Sequence, residues 1–227
     1  MHIEPGVVNG AKLILSYATA AGASALAVKM AASSLRLNGG IPALAIRSLV
    51  TTALVFCFFE ILPKYPVGVS EVHFILGSTL LLLFGAGATS IGLAFGLLLQ
   101  GLLVSPFDLP QYGINITTLL VPLWGIHLLA KKIIPEKTAY VDVSYWQALA
   151  LSTTYQVGIV AWVAFWAFYG QGFSAENLAA VGSFGFAYAV VILLEPLFDL
   201  GVLAFAKIFH KYSSGPLFNN RLHRPAV

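Results

Sequence analysis

Long apolar blocks succeed one another along this chain, separated by short polar or glycine- and proline-containing breaks. Read for period and length, they predict helical spans at about residues 10–33, 42–62, 72–84, 89–106, 113–130, 145–169 and 178–209. Most of these blocks are near the roughly 20 apolar residues that an α-helix needs to cross a hydrocarbon core of about 30 Å. The third and fourth come from one uncharged run, residues 72–107, too long for a single untilted span, and Gly85-Ala86-Gly87 is the natural break. Each half is then short for a full crossing, the mark of broken helices whose backbone is buried against protein or lines a cavity. The last span is overlong and counts as one crossing, with a kink expected at Glu195-Pro196. The fold class is therefore all-α, a polytopic membrane bundle of about seven helices.

Composition rules out the soluble alternative. Of 227 residues, 59% are hydrophobic and only 9% charged, against about a quarter charged in ordinary soluble domains, so the chain could not cover a water-facing surface. A net charge of +3 without a lysine–arginine run argues against a nucleic-acid partner. One cysteine, Cys57, excludes disulfides and multi-thiolate metal sites within the chain. Glu4 and the lack of a basic leading segment argue against a cleavable signal, and His2 predicts that Met1 is kept. Basic residues orient the bundle. Arg36, the loop of Lys131, Lys132 and Lys137, and the tail with Lys207, Lys211, Arg221 and Arg224 fall on one side, read as cytoplasmic. Glu4, Glu60, Glu71, Asp108 and Glu176 gather on the other, with the amino terminus. Residues 1–212 read as a single transmembrane domain of the cell membrane, and 213–227 as a short, disordered cytoplasmic tail.

The chain has no G-x-x-x-x-G-K-[ST] phosphate loop, no H-E-x-x-H helix and no G-x-S-x-G elbow, so nothing recruits ATP hydrolysis or an enzymatic reaction. Its amino terminus does carry chemistry. The free amine of Met1 and the backbone nitrogen of His2 can close a five-membered ring on a metal, and that nitrogen with His2 Nδ1 closes a six-membered one. Planar nitrogen donors suit Ni(II) or Cu(II) and can accommodate Co(II), while Mg and Ca prefer oxygen. A fourth nitrogen must come from elsewhere, and the topology brings His73 to the same face. An ionisable residue entering a membrane span points to function; the other reading of His73 is an interfacial side chain bonded to lipid headgroups or a backbone carbonyl.

Other polar positions have plainer readings. His127 reads as packed or snorkelling beside Lys131 and Lys132, and His210 and His223 belong to the basic end. Glu195 and Asp199 share a helix face; they either pair with Lys29 or Arg47, or form the cation path of a coupled secondary carrier, the rival functional reading. Ala23, Ala27 and Ala31, and likewise Ala88, Gly92 and Gly96, form small-residue stripes for helix packing, within the chain or against a partner subunit. Asn115 can satisfy the backbone of an inserted loop or bond a neighbouring helix.

Met1-His2-Ile3 with Gly6 resembles the M-H-I-x-x-G opening of the CbiM/NikM family. These are membrane substrate-capture components of energy-coupling-factor transporters for cobalt and nickel. Val69-Ser70-Glu71-Val72-His73, followed by Gly77, is similar to that family's internal S-V-H segment with one residue inserted. Leu97-Leu98-Leu99-Gln100-Gly101-Leu102 and Asn115 also look similar. The resemblance implies that the Met1 amine, the His2 amide nitrogen and imidazole, and the His73 imidazole bind Ni2+ or Co2+ as transported substrate, with no separate cofactor. It implies that the amino-terminal segment tucks into the bundle with Asn115 helping to hold it. It further implies an energy-coupling transmembrane subunit and cytoplasmic ATPase subunits as partners, within membrane lipid. Such a chelate forms by displacing protons from the amine, an amide and histidine, so capture weakens as pH falls. Metal bound by the purified protein, followed downward from neutrality, shows this loss; capture unchanged to about pH 5 would overturn the chelate.

Overall fold

Polar side chains turn inward and apolar ones outward, the arrangement a hydrocarbon solvent imposes. Ser16, Thr51, Ser90, Gln100, Thr117 and Gln156 are buried, while Ile41, Leu49, Phe186 and Leu193 stand exposed. The computed structural model describes residues 3–37, 39–210 and 215–225, apart from the side chains of Arg36 and Leu37. Within them lie seven α-helices: α1 (Leu13–Leu37), α2 (Gly40–Glu60), α3 (Gly77–Phe84), α4 (Ala86–Leu103), α5 (Tyr112–Ile133), α6 (Tyr145–Gln171) and α7 (Ala175–Ile208). A hairpin of β1 (Tyr65–Val67) and β2 (Ser70–Val72) precedes α3. The chain is a multi-pass integral membrane protein, and six of these helices are long and apolar enough to cross a bilayer.

The third expected span is corrected by the structure. Residues 72–84 do not form one helix: β2 and an extended stretch enter the bundle, and α3 supplies only eight residues, about 12 Å of rise. The break expected at Gly85 is where α3 ends, with Gly85 at φ 85° before α4 begins. α7 continues through Pro196 as a single helix.

α4 is the centre of the packing, against α1, α2 and α5, while α5, α6 and α7 follow one another around the bundle. Glycines let α4 approach α2 closely. A Cβ on Gly92 would stand 2.4 Å from Thr51 Oγ1, and one on Gly96 2.6 Å from Val55. Thr51 Oγ1 also donates to the Ala88 carbonyl at 2.9 Å, so the stripe of Ala88, Gly92 and Gly96 is the α2–α4 seam. The α1 stripe is also turned inward. Ala23 is buried, and Ala27 and Ala31 are partly buried against the core, which assigns them to packing within the chain. The outward face of α1 instead carries Tyr17, Ala18, Gly22, Ala25 and Val28.

The carboxy-terminal segment also departs from expectation, because residues 215–225 pack where a disordered end was predicted. Arg221 donates to the carbonyls of Ile134 (3.1 Å), Pro135 (2.6 Å) and Thr138 (3.3 Å), and its guanidinium lies over the Tyr140 ring. It thereby reaches three carbonyls of the connection that follows α5, where helical hydrogen bonding has ended. Phe218 stacks on Phe84, and the Asn219 N–H donates to the Leu83 carbonyl at 2.6 Å. The tail thus closes the end of the bundle opposite the hairpin.

Two substitutions test this packing. Gly92→Val forces α2 and α4 apart and lowers stability by about 1–3 kcal/mol, read as an earlier unfolding transition in detergent. Arg221→Ala removes the tail's three carbonyl contacts, so residues 215–225 are cut faster in limited proteolysis while the helices survive.

Candidate metal site

The hairpin is the first piece of the site. β1 and β2 pair antiparallel with Tyr65 opposite Val72, Pro66 opposite Glu71 and Val67 opposite Ser70, leaving a two-residue turn of Gly68 and Val69. Gly68 has φ +62°, as the first central position of a type II′ hairpin turn requires. A Cβ there would lie 2.1 Å from the Ala180 carbonyl, so the turn is pressed onto α7.

The amino-terminal segment adds a third line of backbone to this hairpin. Ile3 bridges antiparallel to Ser70, and the Glu4 N–H donates to the Val69 carbonyl at 3.1 Å. The Ile3 N–H donates to Asn115 Oδ1 of α5 at 3.0 Å. Ile3, Val7 and Val8 are buried, and a Cβ on Gly170 would meet the Val7 carbonyl at 2.0 Å. The segment is therefore threaded inside the bundle, held by the hairpin, α5 and α6. Met1 and His2, the sequence-predicted chelating residues, lie outside the described residues.

His73 follows β2 directly and is only 1% exposed. Its Nε2 lies 3.0 Å from Glu71 Oε2, and its ring meets Phe59 edge-on. A carboxylate at that nitrogen favours the Nε2–H tautomer and leaves the lone pair on Nδ1, the usual arrangement behind a metal-binding imidazole. The Tyr188 hydroxyl of α7 donates to the His73 carbonyl at 3.5 Å. Neither Glu71 nor Tyr188 was singled out as a support by sequence reading. The spacing of two residues between Glu71 and His73 was the available signal for the first, whereas Tyr188 is 115 residues away.

Asn115 and its surroundings form a polar niche. Gln100, Asp108 and Tyr112 line a small space of about 10 Å³ with it, room for about one water. A larger cleft of about 570 Å³ lies between the amino-terminal segment, the hairpin turn and the α6–α7 connection, with Glu4 and Glu176 on its wall. Burial first, and then Glu71, raises the Glu4 carboxyl above its ordinary pKa. Among the described residues no three histidine, cysteine or acidic side chains converge to hold a metal, so His73 is not a complete site by itself.

Deeper in the bundle, the chain between His73 and α3 turns at Leu76, the one non-glycine described residue with positive φ, 55°. That conformation costs a leucine about 1–3 kcal/mol. A Cβ on Gly77, next in sequence, would meet the Tyr155 ring at 2.3 Å. Glu195 and Asp199 lie here, buried on α7. Gln156 Nε2 donates to Glu195, and Thr79 Oγ1 donates to Asp199. The structure does not pair them with Lys29 or Arg47: Lys29 is exposed on α1, and Arg47 Nε donates to the Ala43 carbonyl within α2. At the opposite end, the His210 and His223 rings meet at 4.1 Å between centroids.

Over residues 2–211 the chain matches the CbiM family, described as the cobalt uptake substrate-specific transmembrane region. A solved structure described as that of a transition metal transporter has the same fold. The TM-score is 0.66 over 94% of this chain and 98% of that one, at 19% sequence identity. No curated protein matches the chain. With nearly its whole length accounted for, this multi-pass bundle belongs to the CbiM family of cobalt uptake transmembrane components.

Proposed function

We propose that this chain captures Ni2+ or Co2+ at the face bearing its amino terminus, as the substrate-binding membrane component of an energy-coupling-factor importer. The observation that carries the reading is the anchoring of Ile3. Its N–H is held by Asn115 and its backbone is bridged to Ser70, three residues before the buried His73. In this reading the Met1 amine and the His2 amide and imidazole nitrogens supply three donors in a plane, and His73 Nδ1 the fourth. Glu71 orients that imidazole by accepting a hydrogen bond from its Nε2–H, and the acids of the outer cleft draw the cation in. The amino terminus faces outside and the basic end the cytoplasm.

Release inward is work for partners. An energy-coupling transmembrane subunit and separate cytoplasmic ATPases fit a chain without a phosphate loop. The outward face of α1, with Ala18, Gly22 and Ala25, gives a partner helix room for close approach. The family match favours this over a coupled secondary carrier.

Metal bound per chain tests the reading, measured by elemental mass spectrometry after incubation with Ni2+ or Co2+ and purification through a carboxy-terminal tag. The native chain retains about one metal. A chain with a histidine-free amino-terminal extension retains almost none, and His73→Ala loses affinity without losing its fold. Equal metal on the native and extended chains moves the site to other residues.

A further inference from the structure

We propose that Glu195 and Asp199 are positioning residues for metal capture: they hold the buried start of α3, and through it the segment that carries His73. This role rests on the capture reading above.

The need for such a hold follows from where α3 begins. The first N–H groups of any helix lack intrahelical acceptors, and all eight residues of α3 are buried. Bulk water does not reach them there, and the preceding Leu76 side chain offers no cap. The nearest acceptors lie on α7. The Glu195 carboxyl is turned toward the N–H groups of Leu76 and Gly77, and its Oε1 has no closer hydrogen-bond partner among the described residues. Asp199 takes the Thr79 hydroxyl and faces Ser78. Gln156 of α6 steadies Glu195 in turn. Two carboxyl groups thus meet the electropositive end of a short helix, where acceptor oxygens are favoured.

The surroundings agree with this role. Glu195 and Asp199 face each other, and among the described residues their polar neighbours are side chains of α3 and α6, with no lysine or arginine beside them. The same contacts act on the metal side. The left-handed turn at Leu76 is three residues from His73, and Tyr188, seven residues before Glu195 on the same helix, reaches the His73 carbonyl. α7 therefore grips the segment on both sides of the turn, and a shift of α3 moves the imidazole.

The test uses the full chain in lipid nanodiscs, with Glu195→Ala, Glu195→Gln and wild type compared. In metal-free E195A, the amides of residues 76–79 exchange with deuterium at least about tenfold faster. E195A also binds Ni2+ about 10- to 100-fold more weakly, with a shifted visible band from the nitrogen-bound metal. In E195Q an amide oxygen still faces the N–H groups of Leu76 and Gly77, so exchange, affinity and band return most of the way to wild type. If E195A does not fold, Asp199→Asn and Thr79→Val each remove one contact and carry the same test with smaller changes. Native exchange and native Ni2+ affinity in E195A overturn the positioning role while leaving capture intact. Wild type that binds neither Ni2+ nor Co2+ overturns the capture reading and this role together, even where exchange quickens.

Discussion

A backbone that stops being helical inside a membrane must find its own hydrogen-bond partners, because lipid offers none. In this protein the constraint falls on two stretches, the amino-terminal segment and the hairpin leading to α3. They meet it largely by serving each other: Ile3 bridges Ser70, Glu4 donates to Val69, and Asn115 takes the remaining Ile3 N–H. Asn115, Gln111 and Tyr188 are buried polar side chains that answer this need directly. They replace the water that such backbone would need, and they fix where it can lie.

The same constraint explains the treatment of α3. It is too short to reach both faces, so each of its ends stops at protein. Its start faces Glu195 and Asp199 of α7, and its last turn receives the Asn219 N–H from the tail. The rest of the third crossing is β2 and the extended chain through His73. A histidine carried on such a segment can sit deep in the bundle with a carboxylate at one ring nitrogen, an arrangement that a lipid-facing helix could not shelter.

The packing around this feature is specialised in a complementary way. α2 and α4 approach closely through glycine, with no room left for a side chain at Gly92 or Gly96. α1 gives its alanine stripe to the same purpose and keeps a second small-residue face toward the outside. A rigid shell surrounds the inserted segments, and the small residues are distributed between holding that shell together and presenting a surface.

Much of this was legible in the sequence. Long apolar runs announce membrane helices because a bilayer demands about 20 such residues at a time, and the break at Gly85 followed from the excessive length of one run. His73 stood out because ionisable groups in lipid are expensive. Length and periodicity could not tell that the third span is half extended, because apolar residues suit a buried strand as well as a helix. Nor could they show which face of α1 turns inward, since alanine is welcome on either. Arg221 was read as a disordered end from composition alone, whereas its guanidinium fits carbonyls of the α5–α6 connection that lie more than 80 residues away. The sequence by itself determined the number of blocks, the break and the candidate nitrogen donors, each a matter of local chemistry. Tertiary structure alone decided that Asn115 meets Ile3, that Tyr188 reaches His73 and that Glu195 faces α3, because those pairings depend on how distant helices come together around unsatisfied backbone.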